Sequence, residues 1–456
     1  MRTLDRSRLE HQLKVEEQRF LNEHPKSKAL FEQARKHWQG GVPMLWMVRW
    51  AGNFPVFVTE AKGAHFQCAD GFDHIDFCLG DTGAMTGHAP AASVAAIKSQ
   101  VERGLTFMLP VEDLLWVGEE LTRRFGLPYW QLALTATDAN RFAIRMARHI
   151  TGRPKILVYN YCYHGTVDET YITIDEDGVP GSRRNNLGPP VDPLETTRVI
   201  EFNDIPALET ALSAGDVACV LAEPVMTNIG IVHPDPGYHD ALREITRRTG
   251  TLLIIDETHT ICTGPGGYTA AYGLKPDMLT LGKPIAGGVP AAVYGFSAEI
   301  NQRFMDLLSL EDADVGGIGG TLAGNALSIA AMRATLENVL TPAAYETTLA
   351  LAERYEAGVV EVINRWVLPW IVKRLGGRVE YWFRQAPPRN GGEAAAAIDA
   401  ELDRYMHLFA LNRRILMTPF HNMALMSPLT TEADVDTHTR VFEEAVRSLY
   451  AKTTRA

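Results

Sequence analysis

Lys283 stands in the turn Leu281-Gly282-Lys283-Pro284-Ile285-Ala286-Gly287-Gly288, and Asp256 closes the apolar run Leu252-Leu253-Ile254-Ile255-Asp256 upstream of it. A lysine that condenses with a carbonyl to form a Schiff base needs a rigid, crowded turn to aim its amine. Gly282 allows close backbone approach, and Pro284 turns the lysine before it away from helical dihedrals. A carboxylate at the end of a buried strand can hold a pyridine nitrogen protonated, which makes pyridoxal 5′-phosphate (PLP) an electron sink. Taken singly, Lys283 also reads as a surface lysine in a loop and Asp256 as a helix cap. The pair, with the segments that follow, favours the cofactor chemistry.

Thr135-Ala136-Thr137-Asp138-Ala139-Asn140 follows a short apolar stretch, Gln131 to Leu134, and opens a helix. Small and hydroxylated residues there leave backbone N–H groups and the positive helix end able to hold a phosphate. The same segment reads equally as a Thr/Asp N-cap. Tyr163-His164-Gly165 places an aromatic ring after a strand, where it can stack on a planar cofactor or simply be a half-buried tyrosine. Gly320-Thr321-Leu322-Ala323-Gly324-Asn325 offers a hydroxyl and backbone donors to a phosphate, or a capped helix start.

These residues need a scaffold that brings them together. From about residue 130, apolar runs at 155–159, 217–221 and 251–255 alternate with helical patterns at about 139–150, 205–213 and 237–249. Continuous apolar strands of this kind belong in a parallel sheet covered on both faces. Tyr163-His164-Gly165, Glu223-Pro224 and Asp256-Glu257 each follow such a strand. In open α/β sheets the ligand crevice lies outside the strands' carboxyl ends, so these groups should converge. Before this region, polar helices are expected over residues 1–40, strands over 54–58 and 74–77 around a turn at Asp70-Gly71, and a helix over 93–103 ending at Gly104. After it, a helix is expected over 324–339, a loop over 387–392 and a helix over 394–406.

Together the segments resemble the class III (fold-type I) PLP-dependent aminotransferases, in the branch similar to glutamate-1-semialdehyde aminomutase. The resemblance spans nearly the whole chain and keeps the family's order: the phosphate turn, Tyr163-His164-Gly165, Glu223-Pro224, Asp256-Glu257, the lysine turn and Gly320-Thr321…Gly324-Asn325. It implies an α/β fold with a large doubly wound mixed-sheet PLP domain over 76–334 and a smaller α+β domain over 335–456. Residues 1–75 would add to the small domain and to a dimer contact.

The resemblance also implies roles. Lys283 would form the Schiff base, Asp256 would pair with the ring nitrogen, and Tyr163 would stack on the ring with His164 beside it. Ala136 and Thr137 would hold the phosphate, Glu223 would orient groups near the phenolic oxygen, and Thr321 would reach the neighbouring subunit's phosphate. A homodimer with shared sites follows from that last role. On the substrate side the expected residues are Trp46, Arg49, Thr82 and His421.

The chain departs from the family in four places. Ala136 replaces the usual glycine of the phosphate turn and Asp138 its glutamate. Thr258-His259 stands where relatives carry Val followed by Met or Gln, so His259 either bonds the phenolic oxygen or packs as a neutral histidine. The segment Met417-Thr418-Pro419-Phe420-His421-Asn422-Met423 holds no acid where the aminomutase has a carboxylate. The arginine region reads Pro43-Met44-Leu45-Trp46-Met47-Val48-Arg49-Trp50, in which Arg49 either clamps a substrate carboxylate or makes a surface ion pair. On these grounds ping-pong amino transfer from an amine or amino acid donor to a keto acid, ketone or aldehyde ranks first. The intramolecular aminomutase and a PLP-dependent lyase on the same fold are the alternatives.

Bulk properties agree with an enzyme of small molecules. The 456 residues suffice for two domains, and 46% hydrophobic with 22% charged residues is the balance of a soluble globular protein. A net charge of −11 argues against a nucleic-acid surface. No apolar run approaches the ~20 residues that cross a bilayer, and residues 1–6 run into a charged stretch, which together suggest a cytoplasmic enzyme without membrane contact. Five scattered cysteines with no CxxC pair suggest reduced thiols, neither a disulfide framework nor a zinc site, so no metal is expected.

Overall fold

A computed structural model describes residues 3–184, 186–187, 191–308 and 316–451. The chain forms two compact units. The larger comprises Ala91–Tyr345 and Pro388–Ala396, the smaller Met1–Pro90, Glu346–Pro387 and Ala397–Ala456.

The larger unit is built on a seven-stranded sheet, in the order Tyr129–Ala133, Ala292–Phe296, Met278–Leu281, Leu252–Asp256, Val217–Ala222, Lys155–Tyr159, Thr197–Ile200. Ala292–Phe296 runs antiparallel to both neighbours, and the other pairings are parallel. Every residue of Val217–Ala222 and Leu252–Asp256 is buried, which is why these strands read as unbroken apolar runs. The helix Ala136–Thr151 packs across five strands of the sheet. Its buried stripe is Ala139, Ala143, Ile144, Ala147 and Ile150, its N-cap is Thr135, and Gly152 in the left-handed region ends it.

In the smaller unit, the strands Val58–Lys62, His65–Cys68, Asp73–Asp76 and Ile415–Leu416 form one sheet and Ile371–Leu375, Arg378–Trp382 and Met423–Leu425 another. Its core gathers Leu9, Phe20, Phe77, Tyr355, Val379, Leu408 and Val446. The guanidinium of Arg378 is buried there, donating to Asp81 Oδ1 at 2.8 Å and to the Thr82 hydroxyl.

Several elements differ from the sequence expectation, among them the helix expected over 394–406, which begins only at Ala400, capped by Asp399, and runs to Leu411. The strand expected over 54–58 begins only at Val58, because Pro55 has no N–H for a ladder, and its partner His65–Cys68 supplies the missing hairpin strand. The loop expected over 387–392 turns into a short helix, Gly391–Ala395, capped by Asn390. Gly391 sits so close to Asn160 that a Cβ would lie 2.1 Å from its carbonyl oxygen. The 25-residue helix Pro342–Trp366 was hidden by a weakly segregated apolar pattern. Among the described residues no helix is long and apolar enough to cross a membrane, and all five cysteines are buried and free.

Candidate active site

Lys283 follows the strand Met278–Leu281 and opens the 3₁₀ turn Lys283–Ala286 at a φ of +52°. A residue with a Cβ is held in that region at about 1–3 kcal/mol, so its surroundings must fix it. They do so from two sides. Gly287, at a φ of +59°, lies where a Cβ would be 2.8 Å from Ser93 Oγ and 2.9 Å from Thr335 Oγ1, and those two hydroxyls are bonded at 2.8 Å. Gly282 lies where a Cβ would be 3.1 Å from that of Ala136. The turn is thus pressed against the start of the helix Ala136–Thr151. The Lys283 amine lies 2.5 Å from His259 Nε2.

Asp256 ends the neighbouring strand, in register with Thr280. Its Oδ2 accepts from Asn140 Nδ2 at 2.8 Å and lies 2.9 Å from His164 Nδ1, while Oδ1 accepts from the Thr258 N–H at 3.1 Å. Asn140 is itself fixed: its Oδ1 accepts from the Thr280 hydroxyl at 2.7 Å, and its amide also donates to the His164 carbonyl at 3.2 Å. Burial alone would raise the Asp256 carboxyl, but the bond and charge of His164, with Thr258 and Asn140, bring it down to about 2. Burial likewise opposes charge on His164, yet Cys162 and the Asp256 carboxylate raise its imidazole to about 10. Asp256 is therefore a fixed, buried anion.

Glu223 follows the strand Val217–Ala222 and is buried. Its Oε1 accepts from the Thr227 hydroxyl at 2.5 Å. Burial raises it to about 7, against the pull of His164 and Thr227. At the helix start, the N–H groups of Ala136 and Thr137 have no acceptor within the helix. Thr137 Oγ1 accepts from the Thr166 N–H at 3.0 Å, which leaves its own proton to donate. Gly165, at a φ of +75°, packs so tightly on Thr137 that a Cβ would lie 2.0 Å from its Oγ1. This brings the segment of half-buried Tyr163 against the phosphate turn.

The larger unit thus gathers Ala136, Thr137, Tyr163, His164, Glu223, Asp256, His259 and Lys283 at the carboxyl ends of the strands. The donor set fits PLP: helix-start N–H groups and a hydroxyl for a phosphate, a buried carboxylate for a ring N–H, and an amine for the carbonyl. Thr321 is exposed, in a cavity of about 1190 Å³ lined also by Phe107, Met108, Leu109 and Gly320.

The substrate-side residues belong to the smaller unit. Trp46 meets Phe420 edge-on at 6.0 Å and Trp50 at 6.4 Å, and the Arg49 guanidinium lies 4.5 Å over the Phe420 ring. His421 Nδ1 is 3.8 Å from Glu380 Oε1, both largely buried. Thr82 is buried and serves as an acceptor for Arg378. Sequence reasoning did not assign Asn140 and Thr258, which bond Asp256, nor Thr280, which fixes Asn140. The available signal was Asn140, an amide among small residues on the sheet-facing side of its helix.

Residues 46–365 match the model of the class-III aminotransferases. The chain is 33% identical to the glutamate-1-semialdehyde 2,1-aminomutase of Sorangium cellulosum over 92% of its own length and 96% of that protein. A crystal structure of a lysine-to-alanine variant of a glutamate-1-semialdehyde-aminomutase from Pseudomonas aeruginosa PAO1 in complex with PMP is similar at 49% identity and a TM-score of 0.96, covering 98% of this chain and 99% of that one. An omega-transaminase from Sphaerobacter thermophilus is similar at 28% identity and a TM-score of 0.85, covering 93% and 98%. The chain belongs to the class-III aminotransferase family. It has the fold-type I architecture of PLP-dependent enzymes, and PLP is its cofactor.

Proposed function

We propose that this enzyme moves an amino group between neighbouring carbons of a small amino aldehyde, as glutamate-1-semialdehyde 2,1-aminomutase does. The observation that carries this reading is the end-to-end likeness to aminomutase relatives in both sequence and fold. It reverses the order in which the sequence ranks the alternatives. When bound, PLP supplies an electron sink for a carbanion at the substrate carbon. Lys283, aimed by its clamped turn, takes and returns the proton at that carbon. Asp256 keeps a proton on the ring nitrogen, held as an anion by His164 and Asn140. Ala136 and Thr137 would hold the phosphate, and Tyr163 would contact the ring. Glu223, raised to about 7, can hold or release a proton near neutrality.

A second reading, ping-pong transfer from a separate amine to a separate carbonyl acceptor, is favoured by one specific observation. The segment 417–423 presents His421 and no carboxylate, beside the aromatic group of Trp46, Trp50 and Phe420. One experiment separates the two. The PLP form is given glutamate-1-semialdehyde, and in parallel an aromatic or alkyl amine with pyruvate. Conversion of the semialdehyde to 5-aminolevulinate, with slow turnover of the amine pairs, is expected. Turnover of the pairs without that conversion would replace the first reading by the second.

The same proposal makes the enzyme a cytoplasmic homodimer in which Thr321 completes the partner's phosphate site. Support comes from the exposed Thr321 and the apolar rim near it, where Met108 is 79% and Leu109 73% exposed.

A further inference from the structure

In the smaller unit, away from the residues given roles above, two histidines and a cysteine share one buried spot. The strands His65–Cys68 and Asp73–Asp76 pair antiparallel, with Phe66 opposite His74. Cys68 lies two residues beyond Phe66 on the same buried face, so the pleat sets it diagonally beside His74. The turn between the strands carries Asp70, whose carboxylate accepts from the Lys26 N–H at 2.7 Å and the Ser27 hydroxyl at 2.5 Å. That pins the junction of the helices Arg6–Glu23 and Pro25–Ala34 to the turn, and His24 is the residue at the junction.

One ring nitrogen of His24, one of His74 and the Cys68 sulfur all lie within 4.8 Å of one another. The side chains are closed off from solvent, with His24 at 0%, His74 at 1% and Cys68 at 1% exposure. In each histidine Nδ1 is committed to a backbone carbonyl, Phe20 at 2.9 Å and Phe72 at 3.2 Å. The Nε2 atoms of both are buried without a hydrogen-bond partner. A buried ring nitrogen left unpaired is costly. An imidazole whose Nδ1–H donates to a carbonyl is also oriented and polarised as a metal ligand through Nε2.

We propose that His24, Cys68 and His74 form a binding site for one soft d¹⁰ metal ion, Cu⁺ or Zn²⁺, held by one thiolate and two imidazoles. Thiolate and imidazole together suit these two ions. Binding forms one metal–sulfur and two metal–nitrogen bonds and releases the thiol proton to solvent. Bonds of about 2.0–2.3 Å require the ligand atoms to draw in to about 3.8 Å, a movement within reach of side-chain rotation. Charge decides between the ions. The surroundings are aromatic, with Phe66 stacked on His74 at 4.7 Å and Phe20 on His24 at 4.4 Å, and the Arg414 guanidinium lies 3.5 Å over Phe72. Cu⁺ with a thiolate is neutral, whereas Zn²⁺ leaves a buried positive charge near that guanidinium. Cu⁺ is the better match.

The test uses the holoenzyme after treatment with a chelator. It is mixed with equimolar Cu⁺, delivered as a bicinchoninate complex, or with Zn²⁺, and its metal is counted after gel filtration. About one ion per chain should be retained. In folded Cys68→Ser and His74→Gln proteins, affinity should fall by more than the ~10–100-fold that loss of an outer-shell partner produces. X-ray absorption on the unaltered protein gives a measurement independent of variant folding, and should find one sulfur and two imidazole nitrogens around the metal. Retention of Zn²⁺ alone would keep the site and reverse the charge argument. Retention of neither ion, a sulfur-free shell, or undiminished affinity in folded Cys68→Ser protein would overturn the site.

Discussion

At the scale of single residues, Asp256 shows how a buried charge is made dependable. Three donors converge on it, and only one of them, His164, carries charge. Asp256→Asn keeps the shape and removes the anion, so kcat should fall by at least about tenfold, the change that one pKa unit represents. Turnover within twofold of wild type would assign the proton on the ring nitrogen to another group. The pair also sets a pH signature. Asp256, lowered from 3.8 to about 2, contributes stability that is present above 3.8 and lost as pH falls through 2. His164, raised from 6.5 to about 10, contributes stability that is present below 6.5 and lost as pH rises through 10. The stability gap between wild type and His164→Asn should therefore be widest between about pH 4 and 6.5 and close toward pH 10. Thermal unfolding across that range measures it, and a gap independent of pH would mean that His164 is neutral. The acid was legible because it ends a run of apolar residues, and the lysine because Gly282 and Pro284 flank it in a turn. Asn140 was not, since its role rests on contacts with residues 116 and 140 positions away.

At the scale of elements, three of the parallel strands, Lys155–Tyr159, Val217–Ala222 and Leu252–Asp256, were plain in the sequence because burial on both faces demands unbroken apolar runs, whereas the shorter Thr197–Ile200 and Met278–Leu281 were not. Ala292–Phe296 was not, although it joins Tyr129–Ala133 to the rest of the sheet. Its Gly295 breaks the strand pattern for a reason visible only across the ladder. It lies opposite Trp130, and a Cβ there would come within 2.6 Å of the indole ring. The tryptophan fills the space that the glycine leaves. Gly295→Ala should therefore destabilise the enzyme by about 1–3 kcal/mol, the range for overpacking. Denaturant unfolding of the apo-protein measures this, and an unchanged midpoint would show that Trp130 can move aside. The smaller unit was less legible, because its sheets pair strands from distant parts of the chain, such as Asp73–Asp76 with Ile415–Leu416.

At the scale of the whole molecule, the exposed apolar rim near Thr321 sits on a chain of net charge −11, a surface that would otherwise favour separate monomers. If Thr321 reaches the partner's phosphate, Thr321→Ala should weaken PLP retention by about 1.5–3 kcal/mol, one hydrogen bond to a charged group. Dilution below the dimer's dissociation constant should release cofactor from wild type. Monomers that keep PLP as tightly as dimers would remove Thr321 from the site. The order of the motifs made the family readable from sequence, whereas the substrate did not follow from it. Trp46, Arg49, Phe420 and His421 are set by packing within the smaller unit, which residue type alone does not reveal.

The contact between Gly282 and Ala136 also bears on the history open to this sequence. The phosphate turn and the lysine turn share one small space, and the methyl group at 136 occupies what a methyl at 282 would need, at 3.1 Å. The two positions are therefore tied as alternatives. While alanine stands at 136, a side chain at 282 must displace that methyl by a few tenths of an ångström, and a lineage that regained glycine at 136 would remove the nearest of its obstacles, leaving the backbone nitrogen of residue 136 at 3.2 Å. Descendants and variant libraries should show the two positions changing in opposite directions in size, a linkage between residues 146 positions apart that arises from one shared methyl-sized volume.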